Sequence, residues 1–326
     1  MIQIETNGQV RLCGCAAWMP ATIGNILETP LSELLATPLA QSIRQSIING
    51  TYQFCNEKVC GVIQNNGLNT IDTVPENIKY LLEDSARFQL PYEISIHGDF
   101  TCNLSCPSCR TKVIKVDDDK VEQQNKVGEI IFNNLLGEPT DRRMHLMLSG
   151  TGEVFASPML LNFMNKITLD KFPNVAFSIG TNGLLCEKRW ERIEHLESAI
   201  EKITVSIDAT CADTYEKIRR GGNWDQLLTN MNFLKNKKQL TGMKLHTRMI
   251  VQDGNYSEIL KFYEFSKQFD ADVVEYSRLI NWGTWTNDEF KLHNVFDVAH
   301  PNRDQALESI TELKRLTDVW FEGNFS

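Results

Sequence analysis

The sequence predicts an α/β fold in which strand and helix alternate, so that the strands run parallel in a sheet or open barrel. Three observations predict it. Six short β-rich runs recur: "YEISIHG" (92–98), "MHLMLSG" (144–150), "VAFSIGTNG" (175–183), "KITVSIDA" (202–209), "KLHTRMIVQ" (244–252) and "DVVEYSRLI" (272–280). Between them lie stretches with helical periodicity: "VGEIIFNNLLG", "MLLNFMNKITL", "EKRWERIEHLESAI", "WDQLLTNMNFLKNKK" and "YSEILKFYEFSKQF". A repeated βα unit of this kind builds a parallel sheet or barrel. Finally, each unusual polar motif falls just after a strand-like run, and such architectures carry their reactive groups at the carboxyl ends of the strands.

Taken in order, "IQIETNGQVRLCGC" alternates apolar and polar residues about an Asn-Gly pair, a strong hairpin signal, and ends on Cys13 and Cys15. "PLSELLATPLAQSIRQSIING" has helical periodicity with Gly50 as its C-cap, and "YQFCNEKVC" follows with Cys55 and Cys60. A hairpin folded back on one helix brings these four cysteines together. Residues 64–90 are polar and carry one short helix. The organisation expected is a module over 1–63, a connection over 64–90, the βα unit over 91–290 and a helical tail over 291–326.

Thirty-three basic residues face 42 acidic ones, a formal charge of −9. That balance argues against a nucleic-acid surface and favours a small-molecule or peptide partner. The start "MIQIETNGQV" has no signal-peptide pattern, and nowhere do roughly 18 apolar residues run together. The expectation is a cytoplasmic protein without membrane contact. Nine cysteines, most of them clustered, suit reduced thiols and metal better than a disulfide framework.

The densest cluster is "CNLSCPSC", with Cys102, Cys106 and Cys109 on a loop after the first strand of the repeat. Three thiolates can hold three irons of a cubane and leave the fourth open to a small ligand. They can also bind zinc with a fourth ligand such as His97.

A C-x3-C-x2-C loop after the first strand of a six-fold βα repeat resembles the radical SAM superfamily, over about residues 91–285. The resemblance implies a partial (β/α)6 TIM-like barrel and a [4Fe-4S] cluster whose open iron chelates S-adenosylmethionine. Electron transfer then yields methionine and a 5′-deoxyadenosyl radical. It also implies roles for residues that match one by one. "SGTGEVF" stands where the family has a Gly-Gly-Glu-like segment: Gly150 and Gly152 admit the ligand, and Glu153 accepts from the methionine ammonium. Ser206 and Arg219 match the pair that commonly holds the methionyl carboxylate and ribose, and Asn182 of "GTNG" shares their rim. Two positions depart from the pattern. Ser108 replaces the usual aromatic before the third cysteine, with Phe100, Tyr92 or Leu279 as substitutes, and Thr151 displaces the second glycine.

The amino-terminal stretch resembles the SPASM or twitch auxiliary module, with its hairpin cysteines, Gly-Asn turn, helix carrying Arg44 and terminal cysteine pair. The resemblance implies one auxiliary [4Fe-4S] cluster on Cys13, Cys15, Cys55 and Cys60; four cysteines equally permit structural zinc. In most relatives this module follows the barrel, whereas here it precedes it.

Cys186 reads as a small buried apolar residue. Cys211, just after the fourth strand of the repeat, is either a plain loop thiol or, as the resemblance to radical SAM epimerases suggests, a hydrogen-atom donor. The "INWGTWTNDEFKLHNVFDVAHP" segment either walls a substrate pocket, with His293 and His300 as polar contacts, or caps the barrel end.

The reading these features support is a radical SAM oxidoreductase or epimerase. It abstracts a hydrogen atom from a sugar-like metabolite or a peptide and uses a flavodoxin- or ferredoxin-type reductant. A peptide maturase of the same fold is the nearest alternative. A non-catalytic iron–sulfur carrier or sensor is the alternative from another class, and it has no use for Glu153, Ser206 and Arg219 around an open iron.

Overall fold

The structure, a computed structural model, describes residues 1–15, 18–57, 60–64, 67, 91–323 and 325. The expected connection over 64–90 lies outside the described residues except at Gln64 and Gly67. The strands are β1 (Ile2–Ile4), β2 (Gln9–Arg11), β3 (Gly24–Asn25), β4 (Glu93–His97), β5 (Met144–Ser149), β6 (Val175–Thr181), β7 (Ile200–Ser206), β8 (Lys244–Val251), β9 (Val273–Arg278) and β10 (Val319–Glu322).

All six strands expected from the sequence form, as β4 to β9, and each pairs in parallel with the next. They lie in one open sheet of order β10-β9-β8-β7-β6-β5-β4-β1-β2-β3. This is the α/β architecture of a partial TIM-like barrel, because helices return the chain between successive parallel strands.

Both edges extend further than the repeat. β1 pairs in parallel with β4, so the predicted Asn-Gly hairpin of β1 and β2 is welded to the first strand of the barrel. At the other edge the tail is not all helical. After the helix Arg303–Leu313 it returns as β10, parallel to β9 with Trp320 opposite Glu275. An open β9 edge presents unpaired backbone groups, and "VWFE" has the β-branched and aromatic residues that pair well there.

Two helical segments also differ from expectation. The first divides into Leu31–Ala36 and Pro38–Ile48, because Pro38 has no N–H to continue the first helix, while Thr37 caps the second. The stretch 187–200 forms a short helix, Cys186–Arg189, and then 3-10 turns over Trp190–Arg192 and Glu194–Ala199. Over 190–199 the buried residues are Trp190, Ile193, Leu196 and Ala199, spaced by three. A three-residue period aligns side chains on a 3-10 helix and not on an α-helix.

Alternation along the strands gives the sheet two faces. Thr247 bonds Ser266 of the helix Ile259–Lys267, and Tyr276 bonds the Ile259 carbonyl of that helix, so these residues face the outer helices. Leu245, Met249 and Val274 share that face and are fully buried. The intervening residues His246, Arg248, Glu275 and Ser277 therefore line the inner face.

Candidate functional site

The chain leaves β4 through Gly98 and turns at Asp99, which is almost fully buried. One Asp99 oxygen accepts the Thr101 N–H at 2.8 Å, and the other accepts the Ser157 hydroxyl at 2.6 Å. Ser157 in turn caps the helix Pro158–Asn165. Asp99 thus fixes the entry to the cysteine loop, a role visible in the sequence only as the Asp-x-Thr turn signal of "GDFTC". The loop closes where Cys102 donates its N–H to the Ile114 carbonyl at 2.9 Å. Within it, Cys109 and Arg110 both donate their N–H groups to the Cys106 carbonyl at 2.9 Å.

Cys102, Cys106 and Cys109 are all free thiols. Burial raises the Cys102 thiol, with the Leu104 N–H opposing it at 3.4 Å from the sulfur. Burial likewise raises Cys106, and the Arg219 guanidinium works in the other direction. Among the described residues no three His, Cys, Asp or Glu side chains converge on one metal-ion position. His97 lies under the glycine loop, where a Cβ on Gly150 would stand 2.6 Å from its ring.

The segment after β5 closes on this loop. Gly150 has φ +113°, and Gly152 approaches so closely that a Cβ there would stand 2.3 Å from the Asp99 carbonyl and 2.6 Å from that of Thr101. Thr151, at the position that departs from the family pattern, bonds Thr6 of the amino-terminal hairpin at 2.9 Å and the Gly98 carbonyl at 3.2 Å. Glu153 is buried and accepts from the Thr181 hydroxyl at 2.6 Å, the Asn182 N–H at 2.6 Å and the Phe155 N–H at 3.1 Å. Burial pushes its carboxyl up against the pull of these three donors. Its carboxylate is thus engaged inside the protein. Asn182 continues the chain of contacts, donating through its amide to Asn103 at 2.9 Å and standing 3.9 Å from the Cys102 sulfur.

On the far side, Ser206 ends β7 opposite Arg248 of β8. Arg219 lies 2.8 Å from Asp208, a partner the sequence did not suggest. Burial works against the Arg219 charge, but Asp208 and then Cys106 hold its pKa above the ordinary value. Arg220, also not anticipated, bonds the Ser105 hydroxyl through Nε at 3.1 Å.

Cys211 is exposed and begins the helix Ala212–Ile218. Its sulfur stands 3.5 Å from the Thr214 hydroxyl and 3.8 Å from Glu258. Cys186 is fully buried, and burial raises its thiol far above the ordinary range. His300 lies 3.1 Å from Asp253, and His293 stacks on Trp285 at 4.3 Å, so both histidines are engaged by protein groups. Phe100 is exposed on the cysteine loop, Leu279 is buried, and Tyr92 packs on His145 at 6.1 Å.

In the amino-terminal module, Cys13 lies near Cys15 and Cys60, and Cys55 near Cys13 and Cys60. Burial raises both Cys13 and Cys55. The backbone ties the two halves of the set, with Asn56 donating to the Trp18 carbonyl at 2.6 Å.

The inner face beneath β7 to β10 is polar. Glu275 accepts from His246 Nδ1 at 2.7 Å, from Arg248 Nε at 2.8 Å and from Thr204 at 3.5 Å. Burial opposes its ionisation, but the His246 hydrogen bond and the Arg248 ion pair bring its carboxyl down to about 2. Ser277 donates to Glu322 of β10 at 2.8 Å. Among the described residues no helix is long and apolar enough to cross a membrane.

Residues 100–266 match the Radical SAM superfamily. A GTP 3′,8-cyclase from Lactiplantibacillus plantarum is 28% identical over 207 residues, 62% of this chain and 59% of that protein. A GTP 3′,8-cyclase from Limosilactobacillus fermentum is 26% identical over 211 residues, 61% of this chain and 58% of that one. The chain therefore spans less than two thirds of the length of these curated relatives. The crystal structure of Streptococcus suis SuiB bound to S-adenosylmethionine aligns with a TM-score of 0.47 at 13% identity, over 99% of this chain and 70% of that one.

Proposed function

Because the chain belongs to the radical SAM superfamily, we propose that its cysteine loop and polar inner face form one active site for hydrogen-atom abstraction from a sugar-like metabolite or a peptide. Enzymes of this family use a [4Fe-4S] cluster with S-adenosylmethionine, and the donor set suits that group: three free thiols on one short loop, beside two guanidiniums. When bound, the group supplies a carbon radical able to break an unactivated C–H bond.

The chain's own residues bind, orient and exclude water. Cys102, Cys106 and Cys109 would hold the cluster. Gly150 and Gly152 would admit the methionine portion, Asn182 would help fix the rim on which it rests, and Glu153, already held by Thr181, Asn182 and Phe155, would be the acceptor for its ammonium. Ser206 contributes a hydroxyl, and Arg219 acts with Asp208 as a unit. The single observation that carries the reading is the position of the thiol loop at the carboxyl end of β4, in the same sheet whose inner face presents Ser206, Arg248, Glu275 and Ser277.

A polar, hydrogen-bonding substrate suits that face, since its groups are hydroxyls, an imidazole and a paired guanidinium. The relatives' name, GTP 3′,8-cyclase, also supports a sugar-bearing small molecule as the substrate class. Cys13, Cys15, Cys55 and Cys60 would hold an auxiliary cluster, which would supply an electron acceptor for an oxidative outcome. Cys211 returns a hydrogen atom if the outcome is epimerisation. A flavodoxin- or ferredoxin-type protein is the electron source.

The test is anaerobic incubation with S-adenosylmethionine and a low-potential reductant. Wild-type protein should release 5′-deoxyadenosine, and the triple replacement of Cys102, Cys106 and Cys109 by Ala should not. Release by the triple variant, or none by iron-loaded wild type, would defeat the reading.

A further inference from the structure

Arg110 directly follows the third thiol of the loop, and its guanidinium is held from several sides. Nη1 donates to the Phe100 carbonyl at 2.8 Å, and Nη2 donates to the Thr151 carbonyl. The same Nη2 stands 3.4 Å from the Cys109 sulfur. The Arg110 carbonyl faces Arg220 at 3.4 Å, and its N–H is bonded to Cys106. The side chain thus spans the entry of the cysteine loop, its last thiol and the glycine segment after β5.

Cys109 is the exposed member of the three, so water alone would solvate its sulfur if Arg110 were absent. A planar guanidinium braced by two carbonyls loses little freedom in adding a third contact. Hydrogen bonds to cluster sulfurs and the local net charge both set the reduction potential of an iron–sulfur cluster. A cation donating to a thiolate stabilises the added electron, so reduction becomes easier.

We propose that Arg110 poises the reduction potential of the cluster through the Cys109 sulfur. The inference rests on Cys109 being a cluster ligand. Because Arg110 also grips Thr151, and Thr151 bonds Thr6, the same side chain links the thiolate to the glycine segment and the amino-terminal hairpin. Arg110 is a positioning residue: it acts on the cluster through the thiolate and touches no reacting atom.

The experiment is a redox titration followed by electron paramagnetic resonance, on the anaerobically reconstituted full chain. The site signal is isolated in a background where Cys55 and Cys60 are Ala, provided circular dichroism is unchanged. Arg110→Gln removes the charge but keeps a carbonyl-bonding amide. It should disfavour reduction about tenfold, which for a one-electron couple is a fall of about 59 mV. Arg110→Lys keeps the charge on a flexible stem and should fall by less. A purely structural role changes iron content or melting without moving the potential of the clusters that remain. An Arg110→Gln protein with full iron and the wild-type potential would overturn the proposal. If the Gln variant loses its iron, Arg110→Met, which also removes the charge, decides: iron-loaded Met protein at the wild-type potential overturns it equally. Failure of the underlying reading is separate, since Cys109→Ala would then keep both its iron and its signal.

Discussion

Arg219 Nη2 lies 2.8 Å from Asp208 Oδ2, and each side chain is largely buried. The other oxygen of Asp208 accepts the Ile250 N–H at 2.7 Å, and its backbone is left-handed, with φ 68°. Asn tolerates that conformation and Ala does not. Asp208→Asn should therefore isolate the buried guanidinium and destabilise the fold by about 3 kcal/mol. Asp208→Ala should lose about 1 kcal/mol more, from strain alone. Urea unfolding monitored by circular dichroism measures both; an Asn variant within 1 kcal/mol of wild type would show that Arg219 finds another partner.

Gly152 packs against backbone that cannot swing aside, namely the Asp99 and Thr101 carbonyls. Gly152→Ala must push the segment after β5 away from the cysteine loop. On the proposed count of two cubane clusters per chain, wild-type protein should hold about eight irons, and Gly152→Ala about four. Iron analysis with a normal circular dichroism spectrum checks this. Full iron in the Ala variant would mean that the loop absorbs the extra methyl group.

The same accounting applies to the thiols. Replacing Cys102, Cys106 and Cys109 by Ala should leave about four irons, and replacing Cys55 and Cys60 should leave about four others. Stoichiometric zinc in the first triple variant would instead identify the amino-terminal site as a structural zinc centre.

Glu275 supplies a pH dependence. Its folded pKa of about 2 lies below its ordinary carboxylate value. The stabilisation is therefore complete above about pH 4.3 and is lost as pH falls through the folded value. A depression of this size corresponds to about 3 kcal/mol. Wild type should exceed Glu275→Gln by about that much at pH 7 in urea unfolding, and the gap should close toward pH 2. A gap independent of pH would assign the effect to packing and not to charge.

The fate of the substrate radical distinguishes the two outcomes left open by Cys211. Oxidation gives a product two hydrogens lighter and needs no donor. Epimerisation in deuterium oxide places one deuterium at the inverted carbon, because thiol hydrogens exchange with solvent. Cys211→Ser should abolish that deuterium, since an O–H bond is too strong to give hydrogen to carbon. We expect the lighter product from both proteins, and solvent deuterium in the wild-type product would reverse that expectation.

The six central strands were legible because alternation and helical period are local properties of the chain. So were the three thiols on one loop: their spacing admits little but a metal site. The Asn-Gly hairpin was equally plain in ten residues of sequence. The same residues read one at a time did not reveal the 3-10 turns at 190–199, although the three-residue spacing of Trp190, Ile193, Leu196 and Ala199 was there to be found.

Tertiary structure decided what the polar groups face. Glu153 and Arg219 read as free groups awaiting a ligand; three donors surround the one and Asp208 pairs with the other. The pairing of β1 with β4 and of β10 with β9 also came only from the assembled sheet. The physical reason is the same in both cases. Period and spacing are fixed by neighbours in sequence, whereas the partner of a carboxylate, a guanidinium or a strand edge is fixed by segments up to a hundred residues away, brought together when the apolar faces are buried.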